Sequence, residues 1–378
     1  MKKTKILYGI CGLGNGHTYR QLPIVEHLSS VAEITILAHD NSYNFYATHF
    51  KDHPSVEIIR VAVPFYVGDK NGLDFQASAA SPLNQKNIFR ENCLALDRVN
   101  RELGQPDLVI TDYESTSAQY AYSRNAPLVT IDQQTKYLYG DFPEELSGFT
   151  FKDEIARLRM FFPRAEARLV CSFFNFSIIE KLKNEATNEI VIFPPTIKDA
   201  IAKIKRKPLP DTFLVYISSA REYPQTPESI ITTLSAQKNA KFNIFVNKIE
   251  SDYCKEISQP NIKIHEFDDE IFIKAMSEAR GIISTAGHSL LSEAMYLGIP
   301  VYAIPVSPYE QHMNARIIDT SGFGISHPVL NSDRLDYFIK NISKFENNIS
   351  KDKTILIRGN GQEKIINFLR IKFPRLKL

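Results

Sequence analysis

Short apolar runs alternate with amphipathic segments along this chain, and then the alternation starts over. The first series of runs falls at 5–10, 33–38, 57–61, 108–111, 128–131 and 168–171, with amphipathic stretches such as 18–29 and 88–103 between them. Strands that alternate with helices build a parallel sheet covered by helices on both faces. The stretch IFPPTIKDAIAKIKRKPLP (192–210) interrupts this pattern with paired prolines, a basic run and two further prolines, the marks of a linker. Beyond it, strands are predicted at 213–218, 242–246, 262–265, 281–284 and 300–304, and helices at 226–237, 269–278 and 288–297. At 378 residues the chain exceeds the roughly 100–200 residues of a single domain. The expected organisation is therefore α/β twice over: a first domain at 1–195, a linker at 196–210, a second domain at 211–360, and a C-terminal helix at 361–378 that packs back toward the first domain.

The charge balance narrows the function classes. Lys and Arg total 45 against 43 Asp and Glu, a net charge of +2, whereas a dedicated nucleic-acid binder concentrates basic residues on one face. No nucleic-acid partner is expected. Cys11, Cys93, Cys171 and Cys254 stand far apart without a Cys-x-x-Cys pair, so neither a zinc site nor a disulfide framework is expected, and a reducing cytoplasm fits. The opening MKKTKILYGICG places positive charge before apolar residues, as a secretion signal does. Its apolar run is short and leads into a glycine loop and a helix, so it reads as the first strand. No run of about 18 apolar residues is present to span a membrane.

Ligands of open parallel sheets lie beyond the carboxyl ends of the strands, so the loops after the strands carry the candidate chemistry. In CGLGNGHTYR, after the first strand, Gly12, Gly14 and Gly16 precede His17. A dinucleotide fingerprint would need glycine at the third position and an acidic residue about 20 positions on. His17 occupies that third position, and Asp40, ending the second strand, comes 28 positions after Gly12. The alternative is a loop whose glycines let substrate approach while His17 stands at a helix N-terminus. The positive potential there disfavours imidazolium and favours the neutral ring that a general base must be. The residues alone leave His17 open to a second role, that of a helix cap.

A second loop lies in GIISTAGHSLLSEAMYLGIPVYAIPVSPYEQHMNA (281–315). A strand ends in small residues, Ser284 to Ser289. A helix carrying Glu293 follows and stops at Gly298, and a further strand opens into Pro305–Gln311. Such a turn offers backbone N–H groups and hydroxyls to a diphosphate at a helix N-terminus. Glu293 is placed to accept hydrogen bonds from ribose hydroxyls, and Glu310 and Gln311 to bind a neighbouring sugar.

This segment resembles the donor-binding region of the UDP-glycosyltransferases of GT-B fold. That superfamily includes small-molecule glucosyltransferases of plants and bacteria and the N-acetylglucosaminyl transferase of peptidoglycan lipid precursors. GLGNGH is similar to the same superfamily's N-terminal glycine loop and histidine. The order of elements agrees over nearly the whole chain, while the motifs themselves cover a minority of residues. The resemblance implies two Rossmann-like domains whose parallel sheets face a central cleft, with the nucleotide sugar on the second. It implies His17 as general base and Asp112 of DLVITDYES as its partner. Asp112 can also be read as a helix cap, and Asp132 of LVTIDQQT is a rival partner or an acceptor contact. It further implies that Ser218, Ser219 and Arg221 of YISSAREY meet the diphosphate and that Phe267 of KIHEFDDEIF lies at the uracil. Thr285, Gly287, His288 and Ser289 would cradle phosphates, Glu293 would hold the ribose, and Glu310 and Gln311 the sugar. Gly14 and Gly16 would leave room for acceptor. The chain has no tryptophan and reads TAGHSL where the small-molecule branch carries HCGWNS, so His288 does not map directly onto that branch's phosphate-binding histidine.

The implied reaction is inverting transfer from a UDP-sugar, with no cofactor beyond that co-substrate. No metal is expected, because the Asp-x-Asp pair of metal-dependent glycosyltransferases is absent. Residues 64–90 and 137–163 are aromatic-rich and read as loops lining an acceptor site for a saccharide, glycolipid or small molecule. RLRMFFPR and the tail FLRIKFPRLKL mix basic and apolar residues. That pattern serves either peripheral contact with anionic lipid headgroups at the inner face of the membrane or ordinary packing of a terminal helix. Two rival functions fit the same fold. A UDP-sugar 2-epimerase needs acid–base groups around the sugar and no acceptor. A non-catalytic nucleotide-sugar-binding protein needs the phosphate turn and Glu293 but not His17.

Overall fold

The structure, a computed structural model, describes residues 3–63, 67–69, 72–80, 88–185, 189–216, 225–246, 259–306 and 309–378. The chain forms two compact units. One comprises Met1–Ser172, Phe176–Lys198 and Gly359–Leu378; the other comprises Phe173–Asn175 and Asp199–Arg358.

The first unit is built on a seven-stranded parallel sheet. β1 (Thr4–Ile10) lies inside it, with β2 (Ala32–Ala38) and then β3 (Val56–Arg60) on one side. On the other side follow Leu108–Asp112, Leu128–Asp132, Ala167–Cys171 and Glu189–Phe193. Strands buried on both faces need apolar residues at both parities. β1 supplies them: Ile6, Tyr8 and Ile10 enter one core with Ile24, Val25 and Leu28, while Leu7 enters the opposite core with Val99, Leu103 and Leu158. The winding runs outward from β1 to β3 and then returns to the far side of β1. Between β1 and Leu108–Asp112 it therefore leaves a topological switch point, where open α/β sheets bind ligands.

The stretch 192–210 begins with the last two residues of the edge strand Glu189–Phe193, which Pro194 and Pro195 end because neither can donate to the ladder. The boundary between units falls between Lys198 and Asp199. A short helix, Asp199–Ala202, follows, and the N–H groups of Lys207 and Leu209 donate to the carbonyls of Ser277 and Glu278. The helix Gln362–Lys372 puts Ile365, Ile366 and Leu369 into the same core as β1, leaving Ile371 81% exposed. The apolar face of the tail is thus used inside the protein. The stretch 137–163, expected as loops, holds a two-stranded ribbon (Glu145–Leu146 with Phe149–Thr150) and the helix Lys152–Phe161, with Tyr137, Phe142, Phe151 and Phe162 buried. Of 64–90, residues 64–66, 70–71 and 81–87 lie outside the described residues.

The second unit has a six-stranded parallel sheet in the order Ile262–Glu266, Lys241–Val246, Thr212–Tyr216, Gly281–Thr285, Val301–Ile304, Gly324–Ser326. Its switch point lies between Thr212–Tyr216 and Gly281–Thr285. These two Rossmann-like units make up the α/β GT-B fold. Among the described residues no helix is long and apolar enough to cross a membrane.

Candidate active site

The chain leaves β1 at the first switch point and reaches the helix α1 (Gly16–Ser29) through Cys11–Asn15. Gly12 is tightly confined: a Cβ there would lie 1.8 Å from the His39 carbonyl oxygen. Its N–H donates to His39 Nε2 at 3.0 Å, which leaves the proton of a neutral His39 on Nδ1, 2.9 Å from Asp40 Oδ2. Gly14 is exposed, with φ +71°, and makes the left-handed step of the loop. Gly16 is the first residue of α1, so His17 sits within the first turn and does not cap it.

His17, Arg20, Gln21, Ile24 and Leu28 recur at three- and four-residue steps, and all are buried on one face of α1. The polar end of this stripe converges on Asp112. His17 Nδ1 is 3.0 Å from Asp112 Oδ1. Arg20 Nη2 donates to Oδ1 at 2.8 Å and Oδ2 at 2.9 Å, and its Nε to Oδ2 at 3.2 Å. Gln21 Nε2 donates to Oδ2 at 2.8 Å and to the Ile131 carbonyl at 2.9 Å, while Gln21 Oε1 accepts from the Tyr8 hydroxyl at 2.6 Å. The helix is pinned where its functional side chains emerge. The Tyr46 hydroxyl donates to the Thr18 carbonyl at 2.8 Å, and the Thr196 hydroxyl to the Arg20 carbonyl at 2.5 Å. Arg20 and Gln21 were not read from the sequence as site residues. Their signal was there: both lie three or four residues from His17, on the face that continues as Ile24 and Leu28.

Asp132 does not join this cluster. Its oxygens accept from the Thr135 N–H at 2.7 Å and the Thr135 hydroxyl at 2.9 Å. Nor is Asp112 a cap, since Glu114 caps the helix Ser115–Arg124 by accepting from the N–H groups of Thr116 and Ser117, each at 2.7 Å. Between them, Tyr113 takes a left-handed φ of +58°, and its ring lies 6.2 Å from the His17 ring, with 21° between the planes. On the other side of the imidazole, Gln134 Nε2 is 3.5 Å from His17 Nε2.

Tertiary contacts work against the helix-end effect that favours a neutral His17. Burial opposes charge on the ring, but Asp112 at Nδ1, together with Cys11, outweighs it and raises the His17 pKa to about 10, with Arg20 acting in the opposite direction. A full carboxylate at contact distance exceeds the fractional charge of a helix end. Burial likewise disfavours the Asp112 carboxylate, yet Arg20 and then His17 bring its pKa down to about 2.

In the second unit the candidates lie along the carboxyl edge of the sheet. Ser218, Ser219 and Arg221 fall outside the described residues. Thr285 ends its strand and is buried, and Gly287 begins the helix His288–Leu297 with no side-chain cap. Among the described residues, a Cβ at Gly287 would meet nothing within 4 Å, and Ser289 is half-buried. His288 is buried against Phe173, ring centroids 5.4 Å apart, and its carbonyl accepts from the Ser292 hydroxyl at 2.7 Å. Gly298 ends the helix with φ +72°. Glu293 is half-buried and close enough to the Tyr216 phenol that, after burial, it is the next cause raising that group's pKa. Phe267, 38% exposed, stands 6.1 Å from Tyr216 and 5.3 Å from Phe272 between ring centroids. Gln311 Oε1 accepts from the Val306 N–H at 2.9 Å, and Asn314 Nδ2 lies 3.5 Å from Glu310 Oε1 and 3.0 Å from the Ala286 carbonyl. Among the described residues no group of three or more His, Cys, Asp and Glu side chains could hold a metal ion.

Residues 4–343 match the family described as glycosyl transferase family 1. The chain belongs to this family. Two archaeal relatives of this glycosyltransferase are themselves described as uncharacterized glycosyltransferases. One, from Methanosarcina mazei, is 23% identical over 335 residues, covering 85% of this chain and 84% of its own length. The other, from Methanosarcina acetivorans, is 21% identical over 346 residues, with the same coverage of 85% and 84%. The fold is shared with UDP-glucose:anthocyanidin 3-O-glucosyltransferase, solved in complex with UDP, at TM-score 0.68 and 13% identity, covering 99% of this chain and 100% of that one. It is also shared with the calicheamicin glycosyltransferase CalG4, at TM-score 0.64 and 14% identity over 100% of both chains.

Proposed function

We propose that this glycosyltransferase moves a sugar from a UDP-sugar to an acceptor hydroxyl with inversion, using His17 as general base. The observation that carries this reading is the 3.0 Å contact between His17 and Asp112 at the switch point of the first sheet. With its proton on Nδ1 toward Asp112, neutral His17 offers the Nε2 lone pair. The acceptor hydroxyl gives its proton to Nε2 as its oxygen attacks the anomeric carbon. The bond from that carbon to the diphosphate breaks, and its electron pair leaves with UDP. Asp112 stabilises the imidazolium that forms. Backbone N–H groups at the start of the helix His288–Leu297 would stabilise the charge that grows on the leaving diphosphate. Glu293 holds the ribose, Phe267 the base, and Glu310 and Gln311 the sugar. This scheme needs neither a metal nor a further cofactor.

The neighbour solved with UDP supports a uridine nucleotide as donor. Free Cys11, Cys93 and Cys171 support a reducing, cytoplasmic setting. The acceptor is a saccharide, glycolipid or small molecule. A lipid-linked acceptor is supported by the exposed Phe89, Leu94 and Met160, at 82%, 58% and 56% exposure, near Arg90 and Arg159 in the chain.

A thermal-shift panel tests the donor. UDP and one or more UDP-sugars are expected to raise the unfolding midpoint by linkage. Glu293→Ala is expected to weaken UDP binding about 10- to 100-fold, the loss of charged hydrogen bonds to the ribose. No shift with any uridine nucleotide would overturn the donor assignment. Conversion of a UDP-sugar alone into an isomer, without release of UDP, would instead establish the epimerase. The pH profile tests the base. Because Asp112 and Cys11 raise the pKa of His17, the rising limb of kcat/KM is expected above the ordinary histidine value of about 6.5. A profile flat from pH 6 to 10 would remove His17 from the role.

A further inference from the structure

Resting on that reading, a third member of the His17–Asp112 pair stands out. Arg20 is buried, with its side chain 6% exposed, and Asp112 is 0% exposed. Three contacts from Arg20 reach both carboxylate oxygens, at 2.8, 2.9 and 3.2 Å. The same Nη2 that meets Asp112 Oδ1 lies 2.8 Å from His17 Nδ1. Nδ1 is thus faced at once by an acceptor, the carboxylate, and by a donor, the guanidinium. A protonated Nδ1 is served by Asp112, and that is the state in which Nε2 can accept a proton; the guanidinium beside it weakens the hold on that proton.

We propose that Arg20 is a positioning residue of the base: it takes up part of the charge of Asp112, so that the carboxylate orients His17 while holding the ring's proton less tightly than it would alone. Two effects act in the same direction. The guanidinium repels a proton on the ring, and it competes with the ring for the carboxylate. A His–Asp pair with no third partner would bind the proton more tightly and be a slower base near neutral pH. Gln21 completes the arrangement: its amide bonds to Asp112, Tyr8 and Ile131 fix the carboxylate plane.

The other groups around the ring do not supply this balance. From the end of β1, the buried Cys11 thiol adds to the pull for a proton on His17; burial raises its own pKa, and His17 and His39 draw it down to about 6. From the start of α2 (Asp40–His49), Asp40 faces His39 and not His17. Tyr113 presents its ring face, and Gln134 an uncharged amide. Asp132 and Cys171 act on Arg20, and Glu114 is committed to Thr116 and Ser117. Of the leading causes that set the His17 charge, Arg20 is the one that opposes the proton by charge.

The test reads His17 directly, without donor or acceptor. Full-length protein with 15N-labelled histidine is titrated by NMR, and the His17 ring signals are assigned by their loss in His17→Gln. In Arg20→Met the midpoint is expected to move up by at least one pH unit, so that the neutral fraction at a given pH falls about tenfold. Arg20→Lys, which keeps the charge, should stay within half a unit of the parent. Should Arg20→Met fail to fold, Arg20→Gln, which keeps donors for Asp112 without charge, carries the same expectation. A midpoint that is unchanged or lower in the uncharged variant, with its thermal unfolding intact, overturns the proposal while leaving the base assignment standing. In transfer assays the rising limb of kcat/KM should shift to higher pH in Arg20→Met, KM for the UDP-sugar should be unchanged, and Arg20→Lys should restore most of the rate. A loss equal at every pH would mark Arg20 as merely structural.

Discussion

His17→Ala is expected to lower sugar transfer by about 100- to 10,000-fold, the range for removal of a general base, while UDP still raises the unfolding midpoint. The separation follows from the fold. His17 belongs to the first unit, whereas Gly287, Ser289 and Glu293, to which nucleotide binding is assigned, belong to the second. Removing the ring leaves Asp112 with Arg20 and Gln21, so no carboxylate is stranded in the core. His39, which closes on the same loop through Gly12, cannot take over. Its Nε2 accepts the Gly12 N–H and its Nδ1 faces Asp40, so neither nitrogen is left for an acceptor hydroxyl. The check is initial-rate transfer with a UDP-sugar found by the thermal-shift panel, alongside UDP binding to the same variant. Transfer within threefold of the parent would place the base elsewhere. Loss of both transfer and UDP binding would mean that the substitution had damaged more than the base.

How much of this was legible in the sequence depended on where each residue's partner lay. Strands with helices on both faces, such as Leu108–Asp112 and Leu128–Asp132, are buried at every position and announce themselves as apolar runs. The edge strand Glu189–Phe193 was missed because it runs straight into paired prolines, and Gly324–Ser326 because three residues carry no periodicity. His17 and Asp112 were singled out because one follows the loop after β1 and the other ends a strand, where the topology gathers chemistry. Arg20 was passed over for the opposite reason. A charged side chain on a helix reads as solvent-facing until its own turn is matched against Ile24 and Leu28. The pull on a proton at His17 was not visible in the sequence because the helix end is local, whereas Asp112 lies 95 residues away. Sequence supplied the weak local field, and only the fold supplies the strong one.

The two loop glycines should respond very differently to a single methyl group. Gly12→Ala is expected to cost about 3 kcal/mol of stability, at the upper end for an overpacked site. The added Cβ would lie 1.8 Å from the His39 carbonyl oxygen and 2.5 Å from its carbon, backbone atoms that no rotamer change can move aside. To fit, the loop must part from the start of α2, losing the Gly12 N–H bond to His39 and straining the Ser42 hydroxyl bond to the Cys11 carbonyl at 2.7 Å. Cys11 and α1 shift with it, so His17 transfer should fall together with stability. Gly14→Ala, by contrast, meets nothing within 4 Å and should cost only the left-handed penalty of about 1–2 kcal/mol, with the His17–Asp112 contact intact. Denaturant unfolding and transfer rates of the two variants decide the matter. Equal losses would show that the loop yields freely at Gly12 and that the contact with His39 imposes no constraint. Unequal losses assign each glycine its own cause: Gly12 for the close passage of two backbones, Gly14 for the handedness of the turn. Both requirements arise inside the first unit, which is why a loop with the spacing of a phosphate cradle can instead serve to set a histidine against an aspartate.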